Sequence, residues 1–153
     1  MKAAVEVISD SAGQTRELGE RLGRLLRAGD VVALCGRLGA GKTELVKGLA
    51  RGLEVPDDEP VVSPTFVLIR EYAGRLPLVH CDAYRVGSAT ELWDAGLGER
   101  LELADAVVVI EWADRVEALL PEHAIRIEID APTATRRRFR ITAPRAALLD
   151  ELK

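Results

Sequence analysis

The chain has 153 residues, of which 48% are hydrophobic and 30% charged, and this predicts one globular domain over residues 1–153 with one hydrophobic core. The formal net charge is -4, from 21 basic and 25 acidic side chains, so no overall positive field favours nucleic acid or anionic lipid. No apolar run approaches the roughly 20 residues of a membrane span, and Asp10 interrupts the first apolar stretch before a signal sequence forms. We therefore expect a cytoplasmic protein without membrane contact. Cys35 and Cys81 lie in apolar runs without metal-ligand spacing, and we expect buried thiols.

The first half of the chain alternates apolar, β-branched runs with amphipathic stretches. This pattern predicts the α/β class, with a mostly parallel central sheet flanked by helices. A short strand at Val5–Ile8 is followed by Ser11 and, three residues later, Gln14, a capping-box pattern that opens a helix. Four leucines form one apolar stripe along that helix: Leu18, Leu22, Leu25 and Leu26. The apolar run Val31–Cys35 then predicts a central strand that is covered on both faces.

A helix is predicted from about Lys42 to Leu53, followed by a loop at residues 54–64 with three prolines and four acidic side chains. Two strands follow, at Thr65–Tyr72 and Leu78–Ala83, with a turn at residues 73–75 between them. The sequence therefore places a polar surface loop between the first helix–strand unit and the next strands.

The second half of the chain adds a helix, a buried strand and a closing pair of strands. Ser88 and Glu91 form another capping box, which opens a short helix before Gly96. The run Ala106–Trp112 predicts the second buried strand, and residues 115–120 a short helix. Residues 125–130 and 137–142 alternate polar and apolar side chains, as a C-terminal antiparallel strand pair does, and a helix at Arg145–Leu152 closes the chain.

The segment GRLGAGKT, residues 36–43, fits the phosphate-loop pattern G-x-x-x-x-G-K-[ST] between a predicted strand and a predicted helix. Its glycines permit a tight turn whose backbone N–H groups converge on phosphate oxygens. Lys42 would bridge the β- and γ-phosphates of a nucleotide, and the Thr43 hydroxyl would bind Mg²⁺. An ordinary glycine-rich turn is the alternative, but the motif and its flanks agree independently. The candidate nucleotide-binding residues here are Gly36, Gly39, Ala40, Gly41, Lys42, Thr43 and Glu44.

A phosphate loop needs an acidic side chain that supports the metal, usually at the end of a neighbouring buried strand. Asp82 ends the run LVHCD, and Glu111 ends the run AVVVIE. Both would project from the carboxyl edge of the sheet, where ligands bind in open α/β folds. Glu111 follows the longer apolar run and is favoured as the metal ligand beside Thr43, while Asp82 would support hydrolysis. The two assignments could be exchanged, and Lys42, Asp82 and Glu111 form the candidate catalytic set.

Other polar residues have structural interpretations that compete with functional ones. Ser63–Phe66 fits either a nucleotide-sensing segment or a plain turn. His80 is expected to be a core histidine, and Trp112 to fill the core or an interface, with a contact to nucleotide or a partner as its alternative. The cluster Arg136–Arg140 is either a solvated strand face or a contact for phosphate, tRNA or a partner. The chain contains no asparagine, so it has no N-K-x-D motif for guanine recognition.

The segments GRLGAGKTELVKGLARGL, SPTFVLIREY, HCDAYR, ELWDAGLGE and VVVIEW occur in an order that resembles the TsaE (YjeE) family of bacterial tRNA threonylcarbamoyladenosine biosynthesis ATPases. The resemblance spans about Ser11–Trp112, with a weaker tail through Arg140. It implies a single-domain P-loop NTPase that binds ATP and Mg²⁺, hydrolyses ATP slowly alone, and acts with the TsaB and TsaD proteins. That complex attaches a threonylcarbamoyl group to the adenosine next to the tRNA anticodon, and the ATPase cycle resets it. Contact with tRNA would be indirect or local.

The resemblance also implies roles for individual residues. Gly39–Thr43 would hold the phosphates, Thr43 and Glu111 the metal, and Asp82 would support hydrolysis. The adenine would lie near about Ala12–Thr15 and near Arg137.

Two other functions remain open from the sequence. A small-molecule P-loop kinase has a similar size and the same phosphate loop, but it needs an acceptor pocket and an arginine-bearing lid. No insertion long enough for a lid is evident, and only the cluster Arg136–Arg140 favours this alternative. A nucleotide-sensing module without meaningful turnover is the third possibility.

Overall fold

The computed structural model describes residues 3–36 and 41–153. The strands of this part of the chain are β1 (Ala3–Ser9), β2 (Val31–Gly36), β3 (Ile69–Tyr72), β4 (Leu78–Asp82), β5 (Val107–Glu111), β6 (Ile125–Asp130) and β7 (Arg137–Ala143). The α-helices are α1 (Ala12–Leu25), α2 (Lys42–Gly52), α3 (Ala89–Leu92), α4 (Gly98–Leu103) and α5 (Ala146–Leu152). A π-helical turn, Trp93–Leu97, joins α3 to α4, and a 3₁₀ helix, Ala113–Leu119, follows β5.

The seven strands form one sheet in the order β1-β7-β6-β2-β5-β4-β3. The four central strands are parallel, while β3, β7 and β1 run antiparallel to their neighbours. The predicted α/β class with a mostly parallel centre is confirmed, and so is the C-terminal antiparallel pair, β6 and β7. Because parallel strands end at one edge of a sheet, Gly36, Asp82 and Glu111 lie together at the carboxyl edge.

The sheet divides the hydrophobic core in two, so the prediction of one core is wrong. Val107 and Val109 of β5 pack with the leucines of α1, α2 and α5. Val108 and Ile110 face the opposite layer, where they pack with α3, the π-helical turn and the 3₁₀ helix. Successive side chains of a strand point to opposite faces, so a central strand that is apolar throughout supplies both layers.

Helices α1 and α2 pack at very short range on one face of the sheet. The cap of α1 is as predicted, because Ser11 Oγ accepts from the backbone N–H of Gln14 at 3.1 Å. Glycines at the helix contact allow the close approach: a Cβ placed on Gly48 would lie 2.0 Å from the carbonyl oxygen of Arg16. This packing determines the position of α2 and of Lys42 at its first turn.

Two predicted strand boundaries are corrected. The strand predicted at Thr65–Tyr72 begins only at Ile69, because residues 65–68 form a turn in which the N–H of Leu68 donates to the carbonyl of Pro64 at 2.7 Å. The strand predicted to include Trp112 ends at Glu111, since Trp112 takes a left-handed backbone conformation with φ 58°. The helix predicted to end before Gly96 is confirmed, because Gly96 has φ 130° and interrupts the helical backbone within the π-helical turn.

Among the residues that the structure describes, no helix combines the length and the apolar character needed to cross a membrane.

Candidate functional site

The N-terminus of α2 carries the second half of the phosphate-loop motif. Gly41 is the N-cap of this helix and has φ 101°, a conformation that favours glycine. Lys42 is 5% exposed, and its Nζ donates to the carbonyl oxygen of Gly36 at 2.6 Å. This hydrogen bond links the start of α2 to the end of β2. Gly39 and Ala40, also predicted to bind nucleotide, lie outside the described residues.

The Lys42 ammonium group has an aromatic face and two carboxylates near it. Its Nζ lies 4.0 Å from the centroid of the Trp112 ring, a cation–π contact. Burial lowers the pKa of Lys42 from its ordinary value of 10.5, while the charges of Glu111 and Asp82 act in the opposite direction. A partly desolvated cation at a helix N-terminus is well suited to bind an anionic group such as a phosphate.

Asp82 and Glu111 are direct neighbours in the register of β4 and β5, and each is only 2% exposed. Asp82 Oδ2 accepts from the hydroxyl groups of Ser63 at 2.6 Å and Thr65 at 2.9 Å. Its Oδ1 accepts from the backbone N–H of Tyr84 at 2.8 Å. Asp82 therefore holds the segment Ser63–Phe66 against the carboxyl edge of the sheet.

Glu111 shares Ser63 with Asp82 and has His80 as a second partner. Its Oε2 lies 2.5 Å from Nε2 of His80 and 3.3 Å from Oγ of Ser63. His80 is fully buried, which agrees with the expectation of a core histidine, but its partner is the candidate metal ligand. The spacing H-x-D could have suggested this contact, because residues two apart on a strand share a face.

Most of the predicted site residues that the structure describes converge on two adjoining cavities, but Gly36 lines neither of them. The first has a volume of about 510 Å³. It is lined by Gly41, Lys42, Thr43, Glu44, Ser63, Thr65, Phe66, Asp82, Tyr84, Arg85, Glu111, Trp112 and Arg137. The second, of about 350 Å³, is lined by Asp10, Ser11, Ala12, Thr15, Gly41, Glu44, Ala134, Thr135 and Arg137. Gly41, Glu44 and Arg137 line both, so the two cavities meet at the start of α2.

Arg137 and Glu44 stand where the two cavities meet. Arg137 Nη1 donates to the carbonyl of Thr133 at 3.1 Å, and its side chain lies against Gly41, where a Cβ would be 3.6 Å from Nε. Glu44 binds Arg16 at 2.6 Å. Burial raises the pKa of Glu44, but the hydrogen bond from Arg16 and nearby positive charge outweigh it and lower the pKa below 4.5. Glu44 is therefore ionised at neutral pH.

The other arginines on and next to β7 have acidic neighbours outside the two cavities. Arg136 Nε donates to Asp10 at 2.8 Å, and Arg138 forms an ion pair with Asp130 at 3.4 Å. Arg140 is in register with a glutamate on each side, on β1 and β6. These alternating charges are those of a solvated strand face and leave little net positive potential for nucleic acid.

Phe66 and Arg85 at the mouth of the larger cavity were not identified as a pair from sequence. Phe66 is 82% exposed, which excludes a role in the core. The Arg85 guanidinium lies 4.5 Å from the centroid of its ring. Neither residue belongs to a periodic pattern, so no local signal predicts the contact.

The donor set at the larger cavity fits a magnesium ion that is held together with a nucleotide. Among the described residues, no group of three or more His, Cys, Asp or Glu side chains is arranged to hold a metal by itself. Mg²⁺ in nucleotide sites typically takes one or two protein oxygens and completes its shell with phosphate and water. Thr43 and Glu111 both line the cavity and supply oxygens of this kind.

Comparisons with known proteins agree on one family. The family model described as "Threonylcarbamoyl adenosine biosynthesis protein TsaE" matches residues 9–139. The tRNA threonylcarbamoyladenosine biosynthesis protein TsaE of Treponema pallidum is 46% identical over 122 residues, which cover 80% of this chain and 88% of that protein. The protein of the same name from Streptomyces coelicolor is 48% identical over 119 residues, covering 75% and 78%. The crystal structure of Bacillus subtilis YdiB matches with a TM-score of 0.83 and 31% identity, covering 99% of this chain and 95% of that one.

Proposed function

Because the chain belongs to the TsaE family of threonylcarbamoyl adenosine biosynthesis proteins, we propose that it binds and hydrolyses ATP with Mg²⁺. It would do so as a cytoplasmic subunit of the complex that modifies the adenosine next to the tRNA anticodon. One observation carries the nucleotide part of this proposal. Lys42, at the N-terminus of α2, and the buried carboxylates Asp82 and Glu111 border a single cavity of about 510 Å³.

The residues at the larger cavity have complementary roles in this proposal. Lys42 would donate to the phosphate oxygens of a bound nucleotide, and the N-terminus of α2 would add partial positive charge at the same point. Thr43 and Glu111 would hold the metal. When bound, Mg²⁺ neutralises the charge that develops on the phosphate oxygens during hydrolysis. Burial strengthens each of these interactions because water is largely excluded around Lys42 and both acids.

The smaller cavity is suited to the nucleoside. It adjoins the larger one at Gly41, and it is lined by Ala12 and Thr15 of α1 together with Arg137. A nucleotide whose phosphates bind at the start of α2 would extend into it. Apolar and hydroxyl groups from α1 and the planar Arg137 guanidinium are appropriate contacts for a ribose and a base.

The hydrogen bonds of the Asp82 carboxylate support a proposal that hydrolysis depends on partner proteins. Both of its carboxylate oxygens already accept hydrogen bonds, from Ser63, Thr65 and the backbone of Tyr84. An acid that is engaged in this way is poorly placed to orient an attacking water. We propose that the TsaB and TsaD proteins move the segment Ser63–Phe66 and release Asp82, so that ATP is hydrolysed within the assembly and the complex is reset.

Contact with tRNA would be indirect, because Arg136 and Arg138 are paired with acids. The small-molecule kinase alternative gains no specific support. The arginines that favoured it lie on or next to strand β7 and not on a lid.

The proposal is tested by measuring ATP hydrolysis with purified protein, alone and with the TsaB and TsaD proteins of the same organism. Lys42→Ala should abolish binding and turnover, while Lys47→Ala, a half-exposed lysine on the same helix, should retain both. Stimulation by the partners that is lost in Lys42→Ala supports the proposal. Unchanged hydrolysis by Lys42→Ala would refute the phosphate-loop assignment. Tight ATP binding without stimulation would refute the partner role and call for a screen of phosphoryl acceptors.

A further inference from the structure

We propose that His80 is a positioning residue for the metal site: its imidazole N–H holds one oxygen of Glu111 and thereby directs the other toward Mg²⁺. This inference rests on the proposed function, because it assumes that Glu111 helps to hold the ion. It assigns a role to a buried side chain that does not line either cavity.

The contact is built by the register of the sheet. Asp82 lies directly opposite Glu111, and His80 is in register with Val109, two residues before Glu111 on the same face. Glu111 Oε2 lies 2.5 Å from His80 Nε2. His80 is 0% exposed and Glu111 2% exposed, so water does not compete for this hydrogen bond.

The hydrogen-bonding pattern of the imidazole determines which nitrogen donates. None of the residues that the structure describes makes a hydrogen bond with the buried Nδ1 of His80. A buried N–H without an acceptor is costlier than an acceptor without a donor, so the proton belongs on Nε2. His80 therefore acts as a donor to Glu111. A carboxylate cannot donate, so the contact requires the Nε2–H form of the ring.

The two oxygens of Glu111 are used differently. His80 donates to Oε2, and the Ser63 hydroxyl, whose shorter hydrogen bond goes to Asp82, lies 3.3 Å from the same oxygen. Among the described residues, none donates to Oε1, and Glu111 lines the larger cavity. Within the described part of the chain, one oxygen is thus held by the protein, and the proposal assigns the other to the metal. Partners that orient a metal ligand in this way typically contribute about 10- to 100-fold in metal affinity.

The test separates metal binding from nucleotide binding. The affinity for a fluorescent ATP analogue is measured at increasing Mg²⁺ concentration and, separately, in EDTA. His80→Leu should raise, by about 10- to 100-fold, the Mg²⁺ concentration at which the affinity for the ATP analogue is half-maximally enhanced. It should leave the affinity for the analogue in EDTA unchanged. His80→Gln, whose amide nitrogen can replace Nε2 as a donor, should restore most of the Mg²⁺ response.

Two further variants distinguish positioning from damage to the core. Val79→Ala truncates a fully buried neighbour that faces the opposite layer, and it should keep the Mg²⁺ response of the original chain. If His80→Leu does not fold, His80→Met provides a flexible apolar replacement and should show the same loss.

The outcomes separate the two proposals. If Glu111→Ala abolishes the Mg²⁺ response but His80→Leu or His80→Met retains it, the inference about His80 is wrong and the metal site stands. An equal loss in His80→Gln and His80→Leu also refutes the inference, because side-chain packing and not the donated hydrogen bond would then matter. If the original chain binds the analogue equally with and without Mg²⁺, the proposed metal site fails and the role of His80 fails with it.

Discussion

The contact between α1 and α2 makes a quantitative prediction for Gly48. An added Cβ at this position would lie 2.0 Å from the carbonyl oxygen of Arg16, and 2.8 Å from its carbonyl carbon. Both neighbours are backbone atoms of α1, so no side chain can rotate out of the way. Gly48→Ala therefore forces the two helices apart by more than an ångström, and α2 carries Lys42 at its first turn.

The size of the effect follows from two opposing contributions. Overpacking a rigid contact costs about 1–3 kcal/mol, and a backbone clash belongs at the upper end. Replacing glycine by alanine within a helix stabilises the helix by about 1 kcal/mol, because alanine has the higher helix propensity. We expect a net loss of about 2 kcal/mol in the free energy of unfolding, which for a chain of this length lowers Tm by about 4–8 °C.

Urea denaturation followed by circular dichroism measures the loss, and Gly13→Ala is the matched control. Gly13 lies in α1, the other helix of the pair, but a Cβ there would meet only Ser11 Oγ at 3.7 Å, an ordinary contact. Gly13→Ala should keep or slightly raise the stability. If Gly48→Ala were as stable as Gly13→Ala, the close approach of α1 and α2 would be refuted. We also expect weaker ATP binding for Gly48→Ala, because the displaced helix moves Lys42.

Two further predictions concern buried polar groups. Arg145→Met should lower the free energy of unfolding, measured by urea denaturation, by about 3 kcal/mol. The substitution removes the two hydrogen bonds, of 2.7 and 2.9 Å, that neutralise the buried carboxylate of Asp30. Arg140→Met, on an exposed strand face, is the control and should change the free energy of unfolding by no more than about 0.5 kcal/mol. An equal effect of both variants would contradict the role of the Asp30 pair. Burial raises the pKa of Cys81 to about 12, so its reactive thiolate is scarce at neutral pH, and alkylation of the folded protein by iodoacetamide should be far slower than in urea. Equal rates in the two conditions would show that Cys81 is accessible.

Local sequence patterns predicted much of the fold because they reflect local physics. The Ser11 cap follows from a hydroxyl that accepts from an N–H three residues on, and the structure has this hydrogen bond. The strand β2 is apolar on both faces, as a central parallel strand requires. The predicted strand boundaries were wrong where the backbone departs from the extended conformation of a strand, as it does at Leu68 and Trp112, which are left-handed.

The sequence by itself determined the chemical groups of the candidate site. The spacing of the phosphate-loop motif and the acids at the ends of two apolar runs are local features, and β4 and β5 do place those acids side by side. Their functional roles stay predictions. The tertiary structure alone decided which distant groups meet: Arg137 reaches Gly41, and His80 bonds to Glu111 across 31 residues of chain. Strand order and register arise from long-range packing and hydrogen bonding, and no periodicity within a single segment encodes them.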